Sequence, residues 1–456
     1  MTLVKAYPTI CADADSAVSR QAQGGECTVQ MMRSRVLPAM HLEVLGRCFT
    51  KAVPRAPSTQ RPCSHPTPTV YRRRRLVGLI VLVVLALLLI LVFRSCGGGS
   101  ESTPLGSTDA LSEPQDAEPV ELTLAFSGDL LMHSPVFERA LELGNGKGYD
   151  FAPLFEQVRP YVADADLAFC HVETPMTPGP PSGYPLFNTP PELAQGIATT
   201  GWDACSTASN HTLDQGEEGI AETLRSLDNA GVRHTGSATS ARQAQEPLIL
   251  ESGGAQVAFL AYASDTNGIP VPRPYSVNLF DRDRIAADAL QAREEGADAV
   301  IVNLHWASEI APEYVTEPNE AQRALVRELA EVPAITAIVG QGPHVVQPIR
   351  EVAGKTVVFS EGNLISNQGA DTGLAAASQD GYIALLNLVI DRDGARITNA
   401  RYVPTWVDHL DYQVLPAGAA LESGGADATA LRASYERTVG VVGSGVATPE
   451  PASVSK

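Results

Sequence analysis

Short apolar runs separated by polar, glycine-containing stretches dominate residues 120–415. Val120–Phe126 alternates apolar and polar positions with a period of two, which predicts a half-buried strand. Further short runs are more continuously apolar, as in strands buried inside a sheet; they cover residues 166–170, 202–206, 257–262, 299–304, 335–339 and 356–359. Residues 218–230 and 320–330 have helical periodicity, and Gly231 is the expected C-cap of the first helix. Strands that alternate with helices predict an α/β domain over residues 120–415.

Residues 76–93 form a run of another kind, with 18 residues and no charge or proline. At a rise of about 1.5 Å per residue such a helix spans roughly 27 Å, close to the thickness of a bilayer core. Arg72–Arg75 precede the run and only Arg94 follows closely, so the positive-inside rule places the N-terminus in the cytoplasm. We therefore expect one transmembrane helix, with the α/β domain outside the cytoplasm. An uncleaved anchor, a long signal sequence and lipoprotein processing at Cys96 remain open as alternatives.

The segments outside the α/β domain show little sign of a core. Residues 1–75 lack a sustained period, which favours either a disordered cytoplasmic segment or a misassigned start, with the natural chain beginning near Val70. Residues 94–119 have the composition of a flexible acidic linker. Residues 416–456 are expected to form a C-terminal tail with one helix, at about 430–438, and an otherwise loose chain.

Charge is unevenly distributed along the chain. Residues 1–75 contain 12 Lys and Arg against 4 Asp and Glu, while the whole chain has a net charge of −19. The membrane segment is uncharged, so residues 94–456 carry −27. An acidic domain binds polyanions poorly, which argues against nucleic acid as a partner. An anionic ligand would need a local positive focus, such as bound metal ions.

The cysteines indicate no structural zinc site, because no CxxC spacing occurs. Cys170 and Cys205 are the two that fall within the predicted α/β domain, each inside an apolar run. That setting favours two buried thiols, with a disulfide between them as the alternative.

Polar side chains follow the predicted strands at the points where the strands end. The carboxyl ends of strands in an open α/β sheet form the usual ligand crevice. The groups delivered there are Asp129, His171 and Glu173, Asn210 and His211, His305, His344, and Glu361 with Asn363. Carboxylate, amide and imidazole groups together suit divalent Mn, Fe, Zn or Co. A pair of such ions, roughly 3.5–4 Å apart, activates water and stabilises the oxygens of a phosphoryl displacement.

The order of these motifs resembles one known family. The matching stretches are FSGDLLMH (126–133), ADLAFCHVETPM (165–176), STASNHTLDQG (206–216), VNLHWASE (302–309), GPHVVQPI (342–349) and VFSEGNLI (358–365). In them, residues from about 120 to 410 resemble the CapA family of capsule, or poly-γ-glutamate, biosynthesis proteins, which itself resembles calcineurin-like metallophosphoesterases. The resemblance implies an α/β fold in which a β-sandwich is flanked by helices in four layers, α/β/β/α.

The resemblance also implies roles for individual residues. His211 would be the general acid of a phosphoester hydrolase, and Asp214 would orient it. Two divalent ions, Mn, Fe or Zn, would be held by Asp129, by Glu173 as the bridging carboxylate, and by Asn210, His305 and His344.

Several positions depart from the pattern of the family. Leu131 stands where metallophosphoesterases have a histidine, and His133 is a candidate to replace it. Gln341 and Gly342 stand where many members have two histidines, and His171 replaces a frequent asparagine and is a candidate to compensate. Glycine offers no side-chain ligand, so one metal position is in question.

Four more residues have an open or structural interpretation. Trp306 and Tyr184 either line a substrate cleft or pack. His234 and His409 have no motif support, so we expect both to be structural.

Two classes of function are consistent with the sequence. The first is a membrane-anchored metallohydrolase outside the cytoplasm, acting on a phosphoester or on envelope polymer. The second is a non-catalytic subunit of a polymer synthesis or export complex, with a degraded metal site. The strand-end ligand set favours the enzyme, whereas Leu131, Gln341 and Gly342 favour the subunit.

Overall fold

A computed structural model describes residues 118–307, 310–424, 427–443 and 445–450. The predicted segments 1–75 and 76–93 and nearly all of the linker 94–119 lie outside these residues. No helix within the described ranges is long and apolar enough to cross a membrane. The strands are β1 Val120–Leu130, β2 Leu167–Val172, β3 Ala204–Ser206, β4 Arg233–Thr235, β5 Leu248–Ser252, β6 Ala255–Ala263, β7 Ala299–His305, β8 Ala337–Gln341, β9 Ile349–Val352, β10 Lys355–Val358, β11 Asn363–Ile365, β12 Asp380–Asp391, β13 Gly394–Asp408, β14 Gln413–Pro416 and β15 Ala447–Pro449.

The α-helices are α1 Ser134–Leu143, α2 Ala152–Phe155, α3 Arg159–Ala163, α4 Leu193–Thr200, α5 Gly216–Ala230, α6 Arg282–Glu294, α7 Glu320–Ala330, α8 Ala417–Ser423 and α9 Ala428–Val442. Short 3₁₀ turns lie at Gln243–Gln245, Ala370–Thr372 and Ala376–Gln379. Capping residues set the ends of two of these helices. Asn319 and Gln322 form a capping box at the start of α7. Gly231, with a φ of 80°, ends α5 as the sequence predicted.

Within the described residues, the strands form two sheets, of nine and six strands. The first has the order β14-β13-β12-β1-β2-β3-β4, with β11 also pairing with β1 and β15 with β13. Its half from β1 to β4 is parallel, while β12 to β14 are antiparallel. The second has the order β5-β6-β7-β8-β10-β9, with a parallel centre from β6 to β10. The parallel strands therefore direct their carboxyl ends toward one edge of each sheet.

Alternation along the strands builds three layers of core. In β1, Leu122, Leu124 and Phe126 face a cluster to which both sheets contribute, including Val257 and Ile301 of the second sheet. Ala125 lies between Leu124 and Phe126 in β1, faces the opposite side of the sheet and packs with α1 to α4. The outer face of the second sheet packs against α6 and α7. The mixed α/β fold predicted from the sequence is confirmed, with helices outside two facing sheets.

The C-terminal residues are more ordered than the sequence indicated. The helix expected at 430–438 is present but runs as α9 from Ala428 to Val442, where an Asp427 side chain caps its start. After it, β15 pairs in parallel with β13. Val442 and Ala447 are buried in the cluster between the sheets. The expectation of a loose chain after the helix was wrong for residues 447–449, because they pair with β13 and the Ala447 side chain is buried between the sheets.

The expectation of two buried thiols was also wrong, because Cys170 and Cys205 form a disulfide. Parallel pairing of β2 with β3 places the two residues directly opposite each other, with their Cα atoms 4.4 Å apart. That separation lies within the range that a disulfide can bridge. The bond joins the two strands immediately before His171 and Ser206.

Candidate metal centre and acid-base pair

The carboxyl ends of parallel strands from both sheets bring the predicted site residues together. Asp129 lies near the end of β1, His171 lies in β2, and His305 is the last residue of β7. Loops after β2, β3 and β8 add three more side chains, those of Glu173, Asn210 and His344. All of these side chains are buried, with at most 7% of any residue exposed.

Asp129 is placed by a distortion of β1. The register between β1 and β2 shifts between Phe126 and Asp129. A Cβ atom on Gly128 would lie 1.9 Å from the carbonyl oxygen of Gly362, so only glycine permits this close approach. The Asp129 amide then donates to the same oxygen at 3.0 Å. In the sequence Ser127-Gly128-Asp129, the glycine is therefore required by the close approach to Gly362, and the aspartate supplies the carboxylate of the site.

A first group of possible metal ligands consists of Asp129, His171 and His305. Oδ1 of Asp129 lies 3.7 Å from Nε2 of His171 and 3.8 Å from Nδ1 of His305. The two imidazole rings stack with centroids 4.8 Å apart. None of these three ligand atoms has a hydrogen-bond partner among the described residues. Buried polar atoms are rarely left in that state, since each costs about 1–3 kcal/mol.

Asn210 contacts this group through His305. Its Oδ1 lies 3.0 Å from Nε2 of His305, and its Nδ2 donates to Oδ1 of Asn267 at 3.3 Å. The amide oxygen is therefore the acceptor, and the Nε2 atom of His305 carries the proton. Nδ1 of His305 is left with a free lone pair on the side of Asp129. Asn210 thus orients a histidine in this structure, whereas the family resemblance implied that it is a metal ligand.

A second group shares Asp129 and adds Glu173 and His344. His344 Nδ1 lies 3.6 Å from Asp129 Oδ2, and its Nε2 lies 4.0 Å from Glu173 Oε1. Both carboxylate oxygens of Glu173 lack a partner within the described part of the chain. Asn363 accepts from His344 at 3.0 Å, and its own amide nitrogen donates to three oxygens that fix its orientation. Asp129 belongs to both groups, although the family resemblance implied that Glu173 is the shared carboxylate.

The electrostatics of the two groups favour a bound cation. Burial raises the pKa of Glu173 well above its usual value, and the neighbouring Asp129 raises it further. Burial lowers the pKa of His171 to about 4, so this ring is neutral. Burial also acts to lower the pKa of His344, but Glu173 and Asp129 outweigh it and raise the value to about 10. The raised pKa values of Glu173 and His344 mean that protons bind here to offset the negative charge of two buried carboxylates. A metal cation at this place would offset the same charge.

The donor set fits a divalent transition metal. Neutral imidazole and carboxylate are the groups that bind Mn, Fe, Zn and Co. Adjacent ligands of an ion that binds at about 2.0–2.2 Å lie about 3–4 Å apart. The distances from Asp129 Oδ1 to His171 Nε2 and to His305 Nδ1, 3.7 and 3.8 Å, fall in this range. So does the 4.0 Å between His344 Nε2 and Glu173 Oε1. The structure therefore contains two ligand groups that fit divalent ions.

His211 and Asp214 form a pair beside these groups. Nδ1 of His211 lies 2.8 Å from Oδ2 of Asp214, which also accepts from the Phe187 amide at 2.8 Å. The ring of Phe187 meets the ring of His211 edge-on, with centroids 4.7 Å apart. The loop is tied to the second group because Ser209 donates to the backbone oxygen of Glu173 at 2.6 Å. Imidazole held by a carboxylate at Nδ1 exchanges protons through Nε2.

Other residues considered from the sequence lie outside the two groups. Leu131 is buried in the core, and Nδ1 of His133 accepts from the Asn367 amide at 3.2 Å. Trp306 is fully buried and donates to the Phe359 oxygen, so it packs, whereas Tyr184 is 78% exposed at the surface.

His234 and His409 also lie elsewhere. His234 pairs with Asp228 at 3.2 Å, and His409 pairs with Asp371 at 3.0 Å. Neither belongs to a ligand group, which fits the structural role expected for both.

Gln341 belongs to a buried chain of hydrogen bonds that the sequence did not indicate. It accepts from Asn303 at 2.8 Å and donates to Oε2 of Glu361 at 2.5 Å. Burial raises the pKa of Glu361 well above its usual value, although the bond from Gln341 opposes this. The EGN motif did place Glu361 and Asn363 at a strand end, but no sequence signal links Gln341 to either of them.

Comparisons with known proteins cover this region. A family model described as bacterial capsule synthesis protein PGA_cap matches residues 123–368. The capsule biosynthesis protein CapA of Bacillus anthracis is 25% identical over 273 residues, which cover 58% of this chain and 64% of that protein. The PGA biosynthesis protein CapA of Bacillus subtilis (strain 168) is 26% identical over 256 residues, 54% of this chain and 64% of that protein. The alignments thus span a little under two thirds of the length of these relatives.

Solved structures align more remotely. The calcineurin-like phosphoesterase YfkN from Bacillus subtilis has a TM-score of 0.42 and 12% identity, covering 70% of this chain and 97% of that one. A 5'-nucleotidase precursor from Thermus thermophilus has a TM-score of 0.39 and 13% identity, covering 70% and 59%. The segment matched by the family model contains every residue of both ligand groups.

Proposed function

Because the chain belongs to the PGA_cap family of bacterial capsule synthesis proteins, we propose that it acts in making capsule, poly-γ-glutamate or another envelope polymer, as a metal-dependent phosphoester hydrolase. The family membership confirms the resemblance drawn from the motifs. The substrate, the hydrolysis and the place in the cell are the proposed part.

One observation carries the catalytic proposal: unpartnered ligand atoms surround Asp129, and an acid-base pair lies on the adjoining loop. The loop is tied to the first group by the contact between Asn210 and His305, and to the second by the bond from Ser209 to Glu173. A purely structural core gains nothing from several unsatisfied polar atoms in one place. A site that holds ions and transfers a proton explains all of them.

The roles of the residues follow from their contacts. Asp129, His305, Glu173 and His344 would hold two divalent ions of Mn, Fe or Zn. Those ions would supply Lewis-acid stabilisation of the charge that develops on the phosphoryl group. His211, protonated at Nε2, would donate to the leaving oxygen. Asp214 keeps the ring of His211 in one tautomer and orientation, as the 2.8 Å contact to Nδ1 requires.

A place outside the cytoplasm is supported by the disulfide between Cys170 and Cys205. Disulfides persist in oxidising compartments and are rare in the bacterial cytoplasm. We propose that residues 76–93 anchor the protein in the cell membrane, with the N-terminus in the cytoplasm. Subunits of a polymer synthesis complex would be its partners there.

A second candidate is a non-catalytic subunit of such a complex. Gly342 provides no ligand, and Leu131 is buried in the core. Gln341 is fully engaged with Asn303 and Glu361. Three positions that could have contributed ligands therefore do not, which favours this alternative.

Hydrolysis of an aryl phosphodiester by the purified protein with added Mn²⁺ separates the two candidates. We expect turnover that chelation abolishes and that His211→Ala lowers by about 100- to 10,000-fold, the usual contribution of a general acid. The His234→Ala variant is the matched control, because His234 pairs with Asp228 away from the ligand groups. Activity equal in wild type and His211→Ala, or absent from both, would favour the non-catalytic subunit.

A further inference from the structure

His171, like Glu173, has no hydrogen-bond partner for either polar atom of its side chain among the described residues. Its ring is fully buried. A neutral imidazole has one N–H donor and one acceptor, so both are unsatisfied here. Each such loss costs about 1–3 kcal/mol. Stacking on His305 explains how the ring packs but satisfies neither nitrogen.

The surroundings of the ring point to one kind of missing partner. Nε2 of His171 and Nδ1 of His305 both lie near Oδ1 of Asp129, at 3.7 and 3.8 Å. These separations are too long for hydrogen bonds. They match neighbouring ligand atoms around one ion, which lie about 3–4 Å apart. Two imidazole nitrogens and one carboxylate oxygen, all without hydrogen-bond partners, therefore lie close enough together to bind one ion.

The tautomer of His305 agrees with this geometry. Its Nε2 donates to Asn210 at 3.0 Å, so the Nδ1 lone pair remains available toward Asp129. A histidine that binds a metal through one nitrogen normally donates from the other to an acceptor that fixes the ring. Asn210 fills that supporting position.

The β8 loop offers no alternative imidazole at position 342. A Cβ atom on Gly342 would lie 2.2 Å from the carbonyl oxygen of Trp306, and φ is 106°. The amide of Gly342 instead donates to Oδ2 of Asp129 at 3.2 Å. The loop thus orients the carboxylate, and the imidazole comes from β2.

We propose that His171 is a metal ligand, binding one divalent ion together with His305 and Asp129. Asp129 belongs to both ligand groups and would help to hold both ions, with Glu173 and His344 completing the other position. The assignment rests on the metal-binding part of the proposed function and makes no claim about hydrolysis. His171 of β2, in the other sheet, would thus take the place of a histidine expected at position 342 in the loop after β8.

Metal stoichiometry of the full chain tests this assignment. The protein is stripped with chelator and titrated with Zn²⁺, and the bound ions are counted by elemental analysis after dialysis. The test variant is His171→Phe, which keeps a stacking ring but removes both nitrogens. The control is His234→Phe, which replaces a largely buried histidine whose partner is Asp228 and which lies outside both ligand groups. Thermal melting of each metal-free protein checks that it folds.

We expect two ions for wild type and control, and one for His171→Phe, with the other bound at least about 100-fold more weakly. Loss of an orienting residue alone costs about 10- to 100-fold, so a ligand should cost at least as much. The metal-free His171→Phe protein should melt no lower than wild type, because the unsatisfied nitrogens are gone. Two tightly bound ions in His171→Phe would overturn the assignment while leaving the metal centre intact. No ion bound to wild type would overturn the metal centre itself.

X-ray absorption of the zinc-loaded wild-type protein gives a second result that needs no variant. The assignment predicts three imidazoles shared by two ions, from His171, His305 and His344. Two imidazoles would contradict it even if the His171→Phe protein fails to fold.

Discussion

Replacing Gly342 with alanine is predicted to destabilise the protein by about 4 kcal/mol, the sum of the midpoints of a backbone-strain cost and a steric cost. The residue has a φ of 106°, where an L side chain is strained by about 1–3 kcal/mol. The new Cβ would also lie 2.2 Å from the Trp306 oxygen and within 3.0 Å of its backbone carbon and nitrogen. Relieving an overpacked contact of that kind costs about 1–3 kcal/mol more.

A matched control separates strain from the steric clash. Gly354 has a φ of 76° in the turn between β9 and β10, and a Cβ there would meet no atom within 4 Å. Its alanine variant should lose only about 1 kcal/mol. At about 2–4 °C per kcal/mol, Gly342→Ala should melt roughly 8–16 °C below wild type and Gly354→Ala only about 2–4 °C below.

Differential scanning calorimetry of the metal-free proteins measures both shifts. A Gly342→Ala protein that melts within about 2 °C of Gly354→Ala would refute the steric argument. It would also show that a histidine could be accommodated at this position. The argument for an imidazole supplied by β2 would then lose one of its supports.

Three further changes have defined outcomes. Asp214→Asn should lower phosphodiester turnover by about 100-fold with two ions still bound, because His211 loses its orienting carboxylate; unchanged turnover would contradict that role. Replacing Cys170 and Cys205 together with alanine should lower the free energy of unfolding in urea by about 3–4 kcal/mol, since the bond closes a loop with a sequence separation of 35 residues; a loss below about 1 kcal/mol would contradict it. Burial lowers the pKa of His234 below 6.5, so the unfolded chain takes up a proton first and stability falls as the pH drops through 6.5. The melting temperature of His234→Gln should fall less than that of wild type between about pH 7 and pH 5. An equal fall in both proteins would refute the lowered pKa of His234.

Local patterns predicted most elements because apolar runs and caps act over short distances. The helix at residues 320–330 has the predicted bounds, and strand β7 differs by one residue. β1 continues beyond the predicted end at Phe126 to Leu130, because Asp129 and Leu130 pair with β11. That partner lies far away in the sequence, so no local window contains it.

Only part of the site could be predicted, because some of its contacts also join residues that are far apart in the sequence. Strand ends indicated which side chains would meet, and Asp129, His305 and His344 do meet. The sequence motif indicates His171 only as a candidate to compensate, because its two unpartnered nitrogens become visible only in the packed structure. The disulfide likewise depends on the register of β2 with β3, which the spacing of the two cysteines does not determine.

The most direct test of the metal centre is anomalous diffraction from crystals of the protein soaked in Mn²⁺. The structure predicts two anomalous peaks on either side of the Asp129 carboxylate. One should lie within bonding distance of His171 and His305, and the other near Glu173 and His344. No peak at Asp129, or peaks only at surface carboxylates, would contradict the account.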